Sequence, residues 1–410
     1  MGIVLNANDS AVSRGIKTVG IGKKGSQDLS PQLAQEILEE LKSGKVSAAA
    51  RGAFFAGLFF KGVSAQEKIL ETAFGGRVSI DSSDSLVRQL TADAPEFVQW
   101  ICLQIMNKNT LDKETAYHLG QFLFSDEPGD GARGLIASAL RVRYETDDEY
   151  QGLLQAMEET VAPQFRAEDP STRPIIQLAE PFDGVDHSYM ITPLLGKFLQ
   201  GLGFSVVHLV GRNSGPKFIF NLADIATELN SSETITGKFL HQKDLSPAID
   251  RWVELRHQTI KRPFLATLER FLNPLRADIL AVSAFHPPYG EKMLTVAERS
   301  KISGAIVVRN GVEGTMAFPL KREVRLLCSA QMRDGTYKRH EIIFNPEEFL
   351  GYTVPAEEKL ELPSLKENVR LLRLHLAEGK TDNLLFDARI KATSAGFEQA
   401  LEWIKEQRFA

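Results

Sequence analysis

The chain is 410 residues long, room for two or three domains at the usual ~150 residues each. Its 43 % hydrophobic and 25 % charged residues are the balance of an ordinary folded protein, which excludes collagen-like, mucin-like and wholly disordered chains. With 48 Lys plus Arg against 53 Asp plus Glu, the formal net charge of -5 excludes a surface basic throughout and leaves only a local basic groove for nucleic acid.

Residues 1–27 read as a flexible basic arm: five glycines interrupt any helix, and Arg14, Lys17, Lys23 and Lys24 face a single acid, Asp9. Lys23 and Lys24 are its candidate phosphate contacts. No basic n-region and apolar core open the chain, and the longest apolar run, Ala53 to Phe60, is too short for a bilayer, so a cytoplasmic protein without a membrane span is expected. Cys102 and Cys328 stand alone, with no spacing for a disulfide framework or zinc.

Helices follow, from residue 28 to 165. Ser30 is placed to cap a helix with Pro31 at its first position, an apolar face of Leu33, Ile37, Leu38 and Leu41, and Gly44 at its exit. A second helix starts at Ser47, and a third at Ser64, with Glu67 completing a capping box. A shift of 82 positions lays residues 111–150 over 29–68 without a gap: Leu29, Ala50, Arg51, Gly52, Leu58 and Glu67 recur as Leu111, Ala132, Arg133, Gly134, Leu140 and Glu149. The spacing predicts an internal duplication. In each copy the glycine permits close backbone approach, and the arginine either makes a fixed polar contact or binds a ligand.

The Pro- and charge-rich stretch 162–174 marks a boundary, and from residue 172 to 410 the pattern alternates strand and helix. Strands are predicted at 174–179, 204–210, 278–284, 305–309, 323–328 and 340–344, the last of them antiparallel, with helices at 192–202, 222–229 and from Ser364 to Arg408. In such sheets, ligands sit beyond the carboxyl ends of strands. The loop 180–191 after the first strand offers Asp183, Gly184 and His187, and leads to Thr192 at a helix start; the loop 211–217 after the second offers Gly211, Arg212, Asn213, Ser214, Gly215 and Lys217, the donors and cations an anion site needs. Asp183 and Asp186 carry the carboxylates a magnesium ion would want. In 250–276, six basic residues outnumber three acids, as on a solvated face or a nucleic-acid surface.

The helical segment LSPQLAQEILEELKSGKVSAAARGAFFAGLFFKG, the strand, loop and helix units, RPFLATLERFLNPLRA and AIVVRNGVEGT together resemble the anthranilate phosphoribosyltransferases, of glycosyl transferase family 3. That resemblance implies an α/β plus α fold shared with type II nucleoside phosphorylases: a small helical domain that makes a homodimer, and a larger, mostly parallel α/β domain. It also implies a cleft for Mg2+ and phosphoribosyl diphosphate or a related sugar phosphate. Where the family keeps Gly-Thr-Gly-Gly-Asp, this chain has Ala179-Glu180-Pro181-Phe182-Asp183-Gly184, so Glu180, Asp183 and Asp186 put negative charge where the diphosphate would lie. The family's metal-holding Asp-Glu pair falls at Val312-Glu313, leaving Glu313 alone beside Asp183 and Asp186. These departures, with Thr192-Pro193-Leu194-Leu195, Ser214-Gly215-Pro216-Lys217 and His286-Pro287-Pro288-Tyr289, resemble a divergent branch without the tryptophan-pathway activity, some of whose members bind nucleic acid. Two expectations follow: a pentosyl transferase with Gly211 to Lys217 and the Thr192 helix on phosphate, or a catalytically silent binder of nucleic acid through Lys23, Lys24 and Lys217.

Overall fold

The structure, a computed structural model, describes residues 9–20, 25–167, 172–215, 219–229, 233–260, 264–284, 287–354 and 359–409. Lys23, Lys24, Lys217 and His286 lie outside the described residues. The chain divides into two units, one of Met1–Glu159 with Arg251–Leu268, the other of Thr160–Asp250 with Glu269–Ala410.

The first unit is helical. Its first helix, α1 (Ala11–Val19), corrects the expectation of a glycine-broken arm: Ser10 caps it by accepting from Ser13 N, and Val12, Ile16 and Val19 form one buried face. Burying that face outweighs the ~1 kcal/mol that Gly15 costs a helix interior. Two of the arm's cations are paired, Arg14 with Glu36 (2.5 Å) and Lys17 with Asp9 (2.5 Å). α2 (Pro31–Lys42) and α3 (Ala48–Lys61) start on Ser30 and Ser47, whose hydroxyls accept from Leu33 N and Ala50 N. After a 3-10 helix (Ala65–Phe74) come α4 (Ser83–Leu90), α5 (Glu96–Met106), α6 (Lys113–Leu123), α7 (Asp130–Arg143) and α8 (Asp147–Glu159). The starts of α6, α7 and α8, at 113, 130 and 147, each lie 82 residues beyond those of α2, α3 and the 3-10 helix, at 31, 48 and 65.

α3 and α7 cross at equivalent glycines. A Cβ on Gly52 would stand 2.1 Å from Gly131 O, and one on Gly134 would stand 2.0 Å from Ala49 O. Under the 82-residue shift these two contacts exchange, as they do across a two-fold axis, so the helix pair meets itself in isologous fashion. The neighbouring arginines differ. Arg133 is buried and donates to Phe122 O (3.0 Å), Ser125 O (2.9 Å) and the Asp130 carboxylate (3.1 Å), whereas Nε of Arg51 is buried with no partner among the described residues.

The excursion Arg251–Leu268 also belongs to this unit. Arg251 meets the Asp126 carboxylate and the Ser125 carbonyl, and Trp252 Nε1 donates to Leu123 O (3.0 Å), adding second donors to carbonyls at the end of α6 that Arg133 also reaches. The arginine-rich stretch 250–276 is divided: Arg256 is buried here, and Arg270, in the second unit, is buried and donates to Ser283 O (2.6 Å), while Arg251 is half-buried and Arg276 exposed. Lys261 and Arg262 are outside the described residues.

The second unit is an α/β layer structure around β1 (Ile175–Ala179), β2 (Ser205–Val210), β3 (Lys238–His241), β4 (Ile279–Ala284), β5 (Gly304–Arg309), β6 (Val324–Gln331) and β7 (Tyr337–Phe344), in the order β3-β2-β1-β4-β5-β6-β7. β3 to β5 pair in parallel, and β6 and β7 are added antiparallel. β1, β2 and β4 are mostly apolar and almost wholly buried, as strands covered on both faces are. One core cluster joins Leu178, Ile306, Leu326 and Phe318 with Phe397 and Ile404 of the last helix, Leu384–Phe409. A second gathers Val185, Met190, Leu194, Phe220 and Ile225 with Leu371 and Phe386. Between β1 and β2 runs α9 (Thr192–Gly201), and α10 (Leu222–Leu229) follows β2. The chain moves outward from β1 to β3 and then returns to β4, so the topological switch point lies between β1 and β4, where the loop 180–191 emerges.

Candidate anion site at the switch point

Glu180, the first residue past β1, is 1 % exposed, and its carboxylate has been drawn into the fold. It accepts from Thr192 Oγ1 (2.8 Å) and from Met316 N (3.0 and 3.1 Å), which sets a negative charge at the start of α9, where the helix dipole favours one. The loop then turns at Gly184, whose φ of 71° lies in the left-handed region and whose Cβ would stand 2.0 Å from Phe220 O, so only glycine fits. Val185 N donates to Phe220 O (3.0 Å), joining the loop to the segment after β2. Asp183 and Thr192 are buried; His187 is exposed, its Nδ1 3.0 Å from Leu360 O.

The loop after β2 is fastened to the first by residues the sequence did not single out. Asn221 Nδ2 donates to Phe182 O (2.9 Å) and to Gly211 O (2.9 Å), one amide bridging both loops. Its Oδ1 accepts from Ala223 N and Asp224 N, and Asp224 returns the bond to Asn221 N: Asn221-x-x-Asp224 is a capping signal legible in the sequence. Arg212, 44 % exposed at its side chain, is paired with Asp250, its Nε 2.9 Å from Oδ2 and its Nη2 3.1 Å from the main-chain carbonyl. Asn213 Oδ1 accepts from Gly215 N (2.9 Å), and Ser214 N reaches Phe182 O (3.4 Å). Gly211, Arg212, Asn213, Ser214 and Gly215 therefore stand beside the 180–191 loop at the carboxyl edge of the sheet.

Glu313, in the loop after β5, closes the arrangement. Its carboxylate accepts from Asp186 N (3.0 Å), His187 N (3.0 Å) and Ser188 Oγ (2.6 Å). Farther down the loop, Asn368 pairs with both main-chain groups of Met190, at 2.8 and 2.9 Å.

A mostly parallel α/β unit with a two-loop carboxyl edge and a separate helical unit define the fold of the anthranilate phosphoribosyltransferases. The chain is similar to the anthranilate phosphoribosyltransferase of Thermus thermophilus, with a TM-score of 0.58 and 24 % identity over 75 % of this chain and 90 % of that one. It is also similar to the Saccharomyces cerevisiae enzyme in complex with PRPP and Mg, with a TM-score of 0.51 and 12 % identity over 92 % of each chain. No protein-family model matches the chain. Curated relatives include an uncharacterized protein of Aquifex aeolicus, 25 % identical over 208 residues, and the uncharacterized protein YbiB of Escherichia coli, 25 % identical over 217 residues. These matches span about half of this chain and 65 % and 66 % of those relatives.

The expected magnesium ligands do not come together. Asp183, Asp186 and Glu313 form no metal-holding group, and among the described residues no cluster of three His, Cys, Asp or Glu side chains does. The reason is visible at Glu313, whose two oxygens are taken by amides and a hydroxyl. Nor does any helix among the described residues have the length and apolarity to cross a membrane.

Proposed function

We propose that the protein is a transferase of the phosphoribosyl type that binds a sugar phosphate, such as phosphoribosyl diphosphate, beyond the carboxyl ends of β1 and β2. The observation that supports this reading is the pairing of the two loops: Asn221 ties Gly211 O to Phe182 O, and Asn213 closes its own turn on Gly215 N, so the loop carrying Arg212 stands against the loop that emerges at the switch point, where such folds take ligands. Displacement at a ribosyl carbon needs chiefly positioning and charge stabilisation, which a guanidinium and oriented amides supply without a dedicated acid-base pair. Titration calorimetry with phosphoribosyl diphosphate in magnesium buffer is expected to give binding heat that Arg212→Ala or Lys217→Ala weakens at least tenfold; absence of heat from the unaltered protein would end this reading.

The second reading, a catalytically silent binder of nucleic acid, is favoured by Glu313, which fills the first loop's donors with the protein's own carboxylate. Single-stranded DNA titrated at two salt concentrations would then bind with a steep salt dependence that Lys23→Ala and Lys24→Ala reduce. A homodimer through the helical unit belongs to the proposal in either form. Phe97 (44 % exposed) and Trp100 (53 % exposed), one turn apart on α5, offer apolar surface for it, and sedimentation of Trp100→Ser against the unaltered chain tests it.

A further inference from the structure

Three donors of the first loop converge on one anion, and the anion is the protein's own. Asp186 N and His187 N are successive amides, Ser188 adds a hydroxyl, and all three reach the Glu313 carboxylate at 2.6 to 3.0 Å. Successive inward-pointing amides with a neighbouring hydroxyl are the donor set that a backbone nest offers a phosphate oxygen. A carboxylate and one face of a phosphate present the same thing to it: two anionic acceptor oxygens side by side on one atom.

The loop that delivers Glu313 is built to aim it. Asn310 and Glu313 both hold left-handed backbone, at φ 63° and 50°, and Gly314 follows at φ 84°. The turn is pinned by Val312 N on Ala317 O (2.8 Å), Thr315 Oγ1 on Val312 O (2.8 Å) and Ser283 Oγ on Gly314 O (2.5 Å). A non-glycine residue keeps this conformation only where its surroundings over-determine it. The three bonds made by the side chain are part of what does so.

Resting on the transferase reading and extending it to the control of its site, we propose that Glu313 is an internal occupant of a phosphate nest. A diphosphate or phosphomonoester group engages Asp186 N, His187 N and Ser188 Oγ only when the Glu313 side chain leaves. Bound ligand and the Glu313 contact are mutually exclusive, so the unaltered protein binds such anions weakly.

The test uses inorganic pyrophosphate, followed by calorimetry on the full chain, with circular dichroism and thermal melting to establish that each variant is folded. Glu313→Ala is expected to bind pyrophosphate at least tenfold more tightly than the unaltered protein, and Glu313→Ala with Ser188→Ala to lose most of that gain. A folded Glu313→Ala that binds no more tightly overturns the proposal. If Glu313→Ala fails to fold, Glu313→Gln carries the same criterion, and the amide resonances of Asp186 and His187 must shift in it and shift again on adding pyrophosphate; unmoved resonances overturn the proposal. The two readings separate cleanly. Gain of pyrophosphate binding in Glu313→Ala with no phosphoribosyl diphosphate bound by either form supports the nest and removes the transferase, whereas equal binding of phosphoribosyl diphosphate by both supports the transferase and removes the internal occupant.

Discussion

Glu67 and Glu149 receive matching backbone amides 82 residues apart: Glu67 those of Leu29 (2.9 Å) and Ser64 (2.7 Å), Glu149 those of Leu111 (3.0 Å) and Thr146 (2.8 Å). Each fully buried carboxylate also meets a cation at the matching position, Lys61 at 2.8 Å or Arg143 at 2.5 Å. One side chain thus caps its own helix and ties that helix to the residue that opens the repeat. Removing either carboxylate leaves two amides and a cation without their anion, so Glu67→Ala and Glu149→Ala should each lose about 3–5 kcal/mol in urea unfolding. A loss below about 1 kcal/mol in either would mean that the pair does not hold its hairpin.

The glycine crossing makes a second, steric prediction. Gly52→Ala and Gly134→Ala each press a methyl to about 2 Å from a main-chain oxygen on the facing helix. Both should destabilise by roughly 1–3 kcal/mol or more, against a gain of up to about 1 kcal/mol for the same change in an open helix. Thermal melting of the two variants, beside Gly201→Ala in the last turn of α9, where a Cβ meets nothing, checks this.

His208 gives the fold a pH dependence. It is fully buried in β2, with Nε2 2.7 Å from Thr236 O and its ring stacked on Phe239, and burial pushes its pKa down to about 4. The unfolded chain therefore takes up the proton first, near its ordinary value of 6.5, and the folded state only near 4. Stability is full above about pH 7, falls as pH drops through this window, and by pH 4 has lost roughly 3 kcal/mol from this residue. Urea midpoints at pH 7.5 and 5 should differ by less in His208→Leu than in the unaltered protein.

Arg212 is held by Asp250, and the pair is partly open to solvent. Asp250→Asn should change stability by no more than about 1 kcal/mol. By removing the competing carboxylate charge while the main-chain bond to residue 250 stays, it should raise the affinity for phosphoribosyl diphosphate several-fold. Weaker binding in Asp250→Asn would show that the ion pair positions Arg212 rather than competing for it.

Much of the fold was legible because its signals are local. Ser30, Ser47 and Ser64 open their helices where the sequence puts them, and Leu222–Leu229 is a helix from end to end. α1 was hidden by counting glycines without weighing the buried face of Val12, Ile16 and Val19. β3 has only four residues, Lys238 to His241, too few for an alternation to stand out. At the candidate site, the two loops are legible as loops, but what occupies their donors is not. Glu313 reaches Asp186 across 127 residues and Asp250 reaches Arg212 across 38, and no local pattern encodes such distances.

The excursion of Arg251–Leu268 sets the order in which the chain can finish its parts as it is synthesised. When residue 159 has been made, the carbonyls of Leu123 and Ser125 have Arg133 but not their second donors, Trp252 and Arg251, and β1, β2 and β3 must all emerge first. A nascent helical unit is therefore left with an open seam while about ninety residues of another unit are added, several seconds at ordinary elongation rates. Residues 1–165 cut out as a stand-alone piece would lack the buried Trp252 permanently, so this unit should melt higher with 251–268 grafted back onto it than without.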